Sequence, residues 1–359
     1  MANSSKDLNN FVRVEDALDF ISATLTKHGV STEDAAVVGG CLVEADLRGV
    51  QTHGLSRLPI YVKRLQHGLL NAAPAMTVTK PTAVCASLDG DNGFGFLVGR
   101  RGMAEAMAMA EDYGVGIVAA HNSNHYGMAA SYLLQAVEAG YFAFVFCNAA
   151  SSMPPWGGRA PLFGTNPFAA GAPAGKMPPF VLDMSPAVAA RGKIRLAEKR
   201  NEQIPLGYAL DKDGSPTTDP TAALAGVVLP IGDFKGSGIS MLMDILSGVF
   251  TGAGFAGGVN DQYHDWERTQ GVGHFFMALK PGIFVTEDAF RARMDVFVET
   301  VKATPLAEGF DEILMPGEKE ARLAAERMKN GIPFAAADLA LLEELAKEHD
   351  VPPLAFETR

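Results

Sequence analysis

Residues Gly116 to Cys147 read GIVAAHNSNHYGMAASYLLQAVEAGYFAFVFC, and their reading decides the fold class. Gly116 to Ala120 is an apolar run too short for a helix, Met128 to Ala139 carries its apolar residues at helical spacing, and Phe142 to Cys147 is again a short apolar run. Upstream, Val78 to Leu88 and Val98 to Tyr113 extend the pattern. From Met76 to Asn148 the chain therefore alternates strand, helix, strand, helix, strand, which predicts an α/β fold. Between the Gly116 strand and the helix that follows it sits Asn122-Ser123-Asn124-His125-Tyr126-Gly127. That is the end of a strand at which α/β sheets place their ligands. Asn122, Ser123, Asn124 and Tyr126 are candidates for fixing the tautomer of His125, while a surface or capping histidine is the plainer alternative.

Beyond this core, Ala149 to Pro179 is dense in glycine and proline, includes Trp156 and Phe163-Gly164-Thr165-Asn166-Pro167, and reads as ordered irregular structure around a cleft. Phe180-Val181-Leu182 is a short buried strand, and Asp183 after it either holds a ribose hydroxyl or caps the next turn. Arg191-Gly192-Lys193 begins a basic helix ending near Arg200, read chiefly as a solvated face. Leu210 to Pro216, with Asp213-Gly214 at its tip, is a hairpin. Ile239 to Phe250 is a core helix, too short to cross a bilayer and interrupted by Asp244. A glycine-rich loop from Thr251 to Gly273, a strand through Phe275 to Leu279, and helices Glu287 to Val301, Glu318 to Lys329 and Ala336 to His349 complete the chain.

At the other end, Ser31 with Asp34 three residues on predicts an N-cap for a helix to about Asp46. After a break at Gly49, Ser56 is expected to cap a second helix with Pro59 in its first turn. Helical ends around an α/β centre imply one lobe built from both termini. The expected division is residues 1–75 as the N-terminal helical lobe, 76–303 as the cofactor- and substrate-binding region, and 304–359 as helices returning to the lobe.

Composition narrows the function. Of 359 residues 48% are hydrophobic and 20% charged, an ordinary soluble globular balance. The net charge of −11, with no dense lysine and arginine run, argues against nucleic-acid binding. Met1 to Asp7 lacks the charged-then-apolar pattern of a signal peptide, and no segment suits a membrane span, so a cytoplasmic location is expected. Cys41, Cys85 and Cys147 are odd in number and widely spaced, which fits buried thiols rather than a disulfide framework or zinc site. Asp89-Gly90-Asp91-Asn92-Gly93 opens like a calcium loop, but its twelfth position is Arg100 instead of glutamate. Neither His-Glu-x-x-His nor Gly-x-Ser-x-Gly occurs, so no metal and no covalent nucleophile are expected.

What remains is proton chemistry. His53 lies in Thr52-His53-Gly54-Leu55-Ser56-Arg57, just before a helix start, with Arg57 four residues on as a fork suited to a carboxylate. Its plainer reading is a partly buried histidine bonded to a backbone carbonyl. Gly93-Phe94-Gly95-Phe96-Leu97-Val98-Gly99 imitates a dinucleotide fingerprint, but the third glycine would fall at Val98. Gly232-Asp233-Phe234-Lys235-Gly236-Ser237-Gly238 makes a better phosphate cradle before a helix, or else a plain turn with a solvated lysine. Proton transfer beside a phosphate-bearing ligand suits hydride chemistry, in which a nicotinamide supplies the electrons and the protein the proton.

Taken in order, Asp46-Leu47-Arg48-Gly49 through Tyr61, Ser123 to Gly127, Phe163 to Pro167, Leu182 to Lys193, Pro205 to Pro220, Lys235 onward, Gly273-His274-Phe275 and Pro316-Gly317-Glu318 resemble the malate/L-lactate dehydrogenase family, which is unrelated to the Rossmann-fold dehydrogenases. That family also holds ureidoglycolate, sulfolactate and diketogulonate dehydrogenases and cyclic-imine reductases. The resemblance implies a non-Rossmann nicotinamide-binding α/β domain inserted in a helical lobe, NAD or NADP as cofactor, and a homodimer. It implies acid/base or substrate roles for His53, His125 and Thr52, substrate contacts at Arg57, Tyr61, Thr165 and Lys193, and a cofactor lined by His125, Tyr126, Gly127, Met128, Ala129, Asp183, Met184, Ser185, Phe234, Lys235 and Glu318. Two departures stand out. Thr52 replaces a serine common among relatives, and Lys193 stands where cyclic-imine reductases carry a catalytic aspartate. The expected activity is therefore interconversion of a small 2-oxo acid and its 2-hydroxy acid. A reductase of cyclic imino acids is the alternative, and a non-catalytic nucleotide sensor a third.

Overall fold

The computed structural model describes residues 9–359, so the reading of Met1 to Asp7 lies outside the described residues. Strand β1 (Asn10–Val12) leads into helices α1 (Val14–Lys27) and α2 (Thr32–Leu47). Ser31 caps α2 as its spacing predicts, its Oγ accepting the Asp34 N–H at 3.1 Å. Two short 3-10 turns, Gln51–His53 and Leu55–Arg57, then carry the chain to α3 (Leu58–Gln66). Here the sequence reading needs correction. Ser56 does not cap a helix; its hydroxyl donates to the Gln51 carbonyl at 3.1 Å inside the tight turns, and α3 begins two residues later with Pro59 in its first turn. The cause is the buried Asp46, whose carboxylate takes the Leu55 N–H at 2.7 Å and winds the segment tightly beneath it.

Strands β2 (Thr77–Thr82) and β3 (Cys85–Asp89) form a hairpin where the apolar pattern reads as one strand. Helix α4 (Gly95–Tyr113), strand β4 (Val115–Ser123), helix α5 (Ala130–Glu138) and strand β5 (Phe142–Cys147) follow in the expected alternation. Strands β6 (Phe168–Ala172) and β7 (Phe180–Met184) close the next segment, β6 being hidden in the sequence by its alanine and glycine content. Helix α6 (Arg191–Lys199), strands β8 (Ala209–Leu210) and β9 (Pro216–Thr217), helix α7 (Pro220–Ala225) and strand β10 (Val227–Val228) form a small layer. Its own core comprises Ile194, Ile204, Ala209, Ala223 and Val228. Helix α8 (Phe234–Asp244) runs into a π turn at Ile245–Val249, starting earlier than its apolar run suggests. Strand β11 (Val272–Leu279), helices α9 (Glu287–Lys302) and α10 (Glu318–Asn330), strand β12 (Ile332–Phe334), helix α11 (Ala336–His349) and strand β13 (Glu357–Thr358) end the chain.

The central sheet has seven strands in the order β2-β3-β4-β11-β5-β6-β7. Only β3 and β4 are parallel neighbours, joined by α4, while β11 inserts antiparallel between β4 and β5. The fold is α/β with a mixed sheet. Strand β11 is almost wholly buried, with Phe276 inaccessible in the main core beside Val118 and Val145. Helices from the two chain ends pack together, α1 on α2, α3 and α11 and α10 on α2, and β1 pairs between β12 and β13. No described helix is long and apolar enough to cross a membrane.

Candidate active site

Two imidazoles from distant segments meet face to face. The rings of His53 and His125 stack with centroids 5.5 Å apart and planes 20° from parallel. Each is oriented through Nδ1. Thr52 Oγ1 lies 2.9 Å from His53 Nδ1, and Tyr61 Oη lies 2.8 Å from His125 Nδ1, where the Gly127 N–H also points at 3.4 Å. A hydroxyl both donates and accepts, so Tyr61 serves His125 whether Nδ1 carries a proton or not. Among the described residues, Nε2 of neither ring has a protein partner, and neither is sealed from solvent. These two nitrogens are the atoms left for a ligand.

The surroundings explain the geometry. Tyr61 is 4% exposed, its ring held edge-on by Phe94 at 6.1 Å and Phe96 at 5.4 Å. Gly95 between them lets α4 press against the His125 loop, since a Cβ there would overlap the Asn124 carbonyl. The polar neighbours of His125 do not fix its tautomer, contrary to the sequence reading. Asn122 Nδ2 binds Asp89, Asn124 Nδ2 binds the Asn92 and Gly93 carbonyls, Ser123 Oγ lies 2.8 Å from His274 Nε2, and Tyr126 stacks on His274 at 4.6 Å. They hold the loop's backbone. Gln270, which nothing in the glycine-rich loop singles out, accepts the His125 N–H at 3.0 Å.

Arg57 completes the cluster. Its Nε donates to the Thr52 carbonyl, its guanidinium lies 5.4 Å from the centroid of the Tyr263 ring, and its terminal nitrogens have no partner among the described residues. Burial lowers its pKa, and Arg195 of α6 adds repulsion against the opposing effect of Tyr61. Tyr263 and Arg195 both escape the sequence reading, because only folding brings their segments over Arg57.

The other site residues fall into separate groups. Asp183 Oδ2 accepts the Ala130 N–H at 2.8 Å, so this carboxylate caps α5 rather than the turn after its own strand. Burial pushes it up to about 6 against those backbone donors. Met128 and Ala129 lie just before α5, both buried, and Met184 ends β7. Ser185 Oγ donates to the Thr165 carbonyl at 3.0 Å, joining those two residues. Lys193 and Lys235 project from the first turns of α6 and α8, exposed and without an ion pair among the described residues, and Phe234 beside Lys235 is also exposed. Glu318 is saturated by Lys302 at 2.6 Å, by Arg322 and by the Met315 N–H; these outweigh its burial and hold it down at about 2. It fixes the turn before α10, and its oxygens are already taken.

A family model described as malate/L-lactate dehydrogenase matches residues 12–343. The chain belongs to the malate/L-lactate dehydrogenase family. A malate dehydrogenase of Pyrococcus horikoshii is 38% identical over 355 residues, covering 96% of this chain and 98% of that one. The solved structure of the sulfolactate dehydrogenase of Methanocaldococcus jannaschii superposes with a TM-score of 0.90 at 36% identity, covering 95% and 98% of the two chains. That of a Δ1-piperideine-2-carboxylate reductase from Pseudomonas syringae reaches 0.83 at 30% identity, covering 94% and 99%. As a member of this dehydrogenase family the protein is an NAD(P)-dependent oxidoreductase.

Both site imidazoles of this dehydrogenase are neutral at neutral pH. Burial, then the charge of Arg57, lowers His53 to about 4, and burial, His53, Arg57 and His274 hold His125 well below its ordinary value. The sign for stability follows. An unfolded histidine protonates near pH 6.5 while folded His53 stays neutral to about 4, so its share of stability declines as pH falls through that window. Asp46 and Asp183, raised to about 7 and about 6, work in the opposite sense. The difference between two proteins is therefore the readout. Relative to wild type, His53→Gln should gain stability as urea unfolding is moved from pH 6.5 to pH 4. A difference independent of pH would contradict a buried neutral His53.

Proposed function

We propose that the protein interconverts a small 2-oxo acid and its 2-hydroxy acid, of the malate, lactate or sulfolactate kind, with NAD or NADP. One observation carries this reading: stacked imidazoles with open Nε2 atoms share a site with an arginine whose terminal nitrogens are unpaired. Arg57 takes the substrate carboxylate through its two terminal nitrogens. That contact cancels the charge that disfavours imidazolium, so the acid itself raises the proton affinity of the rings beside it. His125 then gives its Nε2 proton to the oxygen forming at C2, or takes it in the reverse direction, while Tyr61 follows at Nδ1. Thr52 orients His53, and the stacked neighbour keeps the pair to a single added proton.

The cofactor supplies and accepts the hydride. The residues present fit such a group: Lys235 is an exposed unpaired cation at the start of α8, beside a backbone turned at Gly232 with φ +58°, which suits a phosphate. Lys235 and Phe234 would hold its phosphate end, and the loop from His125 to Ala129 with Asp183 to Ser185 the rest.

Oxidation of reduced nicotinamide with a panel of 2-oxo acids and cyclic imines tests the proposal. Cyclic imines stay on the panel because of the likeness to the piperideine-2-carboxylate reductase, although exposed Lys193 favours a more anionic acid. Turnover of cyclic imines alone would replace this reading, and cofactor binding with no turnover would favour a nucleotide sensor. A charge-assisted hydrogen bond contributes about 1.5–3 kcal/mol. Arg57→Ala should accordingly raise KM for the acid by roughly ten- to a hundredfold with a smaller fall in kcat. An unchanged KM would remove Arg57 from the carboxylate.

The same reading includes a cytoplasmic location, since all three cysteines are free, with no nucleic-acid or membrane partner. It also includes a homodimer covering the exposed apolar stripe of Leu242, Ile245, Val249 and Phe250. The division at residues 75 and 303 stands as a proposal with it.

A further inference from the structure

We propose that Asp46 is a positioning residue for the proton-transfer site, a buried carboxylate that anchors the His53–Arg57 turns from beneath and is braced by Arg327 from the far end of the chain. The inference rests on the reading of His53, His125 and Arg57 given above. It starts from place. Asp46 sits in the last turn of α2, 1% exposed, and touches none of the groups that meet a substrate. Its Oδ2 accepts the N–H of Leu55, the residue between His53 and Arg57 in the paired 3-10 turns. Gly54 lies against the same carboxylate so closely that a Cβ would overlap both its oxygens. The carboxylate therefore fills the space under the turn and fixes the height at which His53 and Arg57 stand.

The brace comes from α10. Arg327 Nη1 donates to the Asp46 carbonyl, while Arg327 Nε and Asp46 Oδ1 are both buried without partners. The Arg327 charge acts on the Asp46 carboxyl through space, favouring its ionised form. Two further contacts tie the turn to the C-terminal segment: Gln51 Nε2 donates to the Pro333 carbonyl at 2.8 Å, and Gly49 leaves room only for Leu323 of α10. The groups that set the charge of Asp46 are Leu55 N–H on its own side, Arg327 of α10, and Asp338 of α11, which opposes ionisation. Burial outweighs the rest and pushes the carboxyl up to about 7. The anion holds the Leu55 N–H and attracts the Arg327 charge through space; the neutral acid holds the first more weakly and loses the second. Site geometry should therefore tighten as pH rises through neutrality.

Asp46→Asn keeps an acceptor for Leu55 and removes the charge. The expected result is a fall in kcat of about tenfold, nicotinamide affinity unchanged by fluorescence titration, and loss of an inflection near pH 7 that wild-type kcat/KM shows. Ring signals of His53 in the NMR spectrum should also shift between the two proteins, and this readout needs no turnover. Absence of turnover in wild type on every substrate would reject the functional reading alone, leaving the ring signals to decide this one. Identical ring signals, or a wild-type kcat with the inflection intact, would overturn the role of Asp46. Should Asp46→Asn not fold, Arg327→Gln serves instead. Losing that cation raises the carboxyl further, so the inflection and the His53 titration should move to higher pH, and no movement overturns the proposal.

Discussion

Replacing His125 by asparagine is expected to lower kcat by about a hundredfold to ten-thousandfold, the range that a positioned general acid or base contributes. The expectation is stronger for His125 than for His53 because of what stands behind each ring. His125 has the buried Tyr61 hydroxyl at 2.8 Å on Nδ1 and its backbone held by Gln270 at 3.0 Å, so its open Nε2 is aimed by groups that do not move with solvent. His53 is backed by Thr52, an exposed residue. His53→Asn should cost roughly tenfold to a hundredfold, through loss of the stacked neighbour and of contact with substrate. Asparagine preserves a polar side chain of similar bulk, so binding of reduced nicotinamide should survive in both. Turnover by His125→Asn within tenfold of wild type would move the proton donor elsewhere. A larger loss in His53→Asn would exchange the two roles.

The alternation between Met76 and Asn148 made the sheet legible because short apolar runs and helical periodicity are local properties, written where they act. Strand β11 was legible as a strand and not as a neighbour. Its eight residues, Val272–Leu279, are apolar in either environment, and nothing local says that they slide between β4 and β5. The site divides in the same way. His53, Arg57 and His125 stood out by residue type and polar company, and Tyr61 through the family resemblance. Gln270 and Tyr263 lie in a glycine-rich loop, Arg195 in a basic helix and Arg327 in α10, and nothing local marks any of them; they reach the His125 loop, Arg57 and Asp46 only through long-range approach. Ser56 shows the converse. As a serine before Pro59 it has every local mark of a cap, yet the Asp46 carboxylate captures the Leu55 N–H and the turn closes before the helix can start. A buried carboxyl nine residues before Leu55 overrode a local signal.

Gly95→Ala should cause a large loss of stability although it adds a single carbon atom, and take activity with it. Gly95 opens helix α4, where alanine is ordinarily at least as good a helix former as glycine, so intrinsic propensity predicts a small gain. Geometry reverses the sign. A Cβ at Gly95 would overlap the Asn124 carbonyl and lie 2.5 Å from that of His125, both backbone atoms of the loop that holds the His125 ring. Backbone cannot rotate away as a side chain does; either α4 withdraws from the sheet or the His125 loop shifts. Overpacking of this kind costs about 1–3 kcal/mol, sometimes more, and the shift would pull His125 Nδ1 from Tyr61, which itself rests on Phe94 and Phe96 either side of the new methyl. The glycine that imitates a nucleotide fingerprint is thus required by helix-to-loop contact. Gly40→Ala in α2 is the control, because nothing lies within 4 Å of its added methyl; it should stabilise by about 0.5–1 kcal/mol. Urea unfolding and kcat measured on both variants separate the two effects. If Gly95→Ala proved as stable and active as Gly40→Ala, α4 and the His125 loop would not be in the contact that positions the acid.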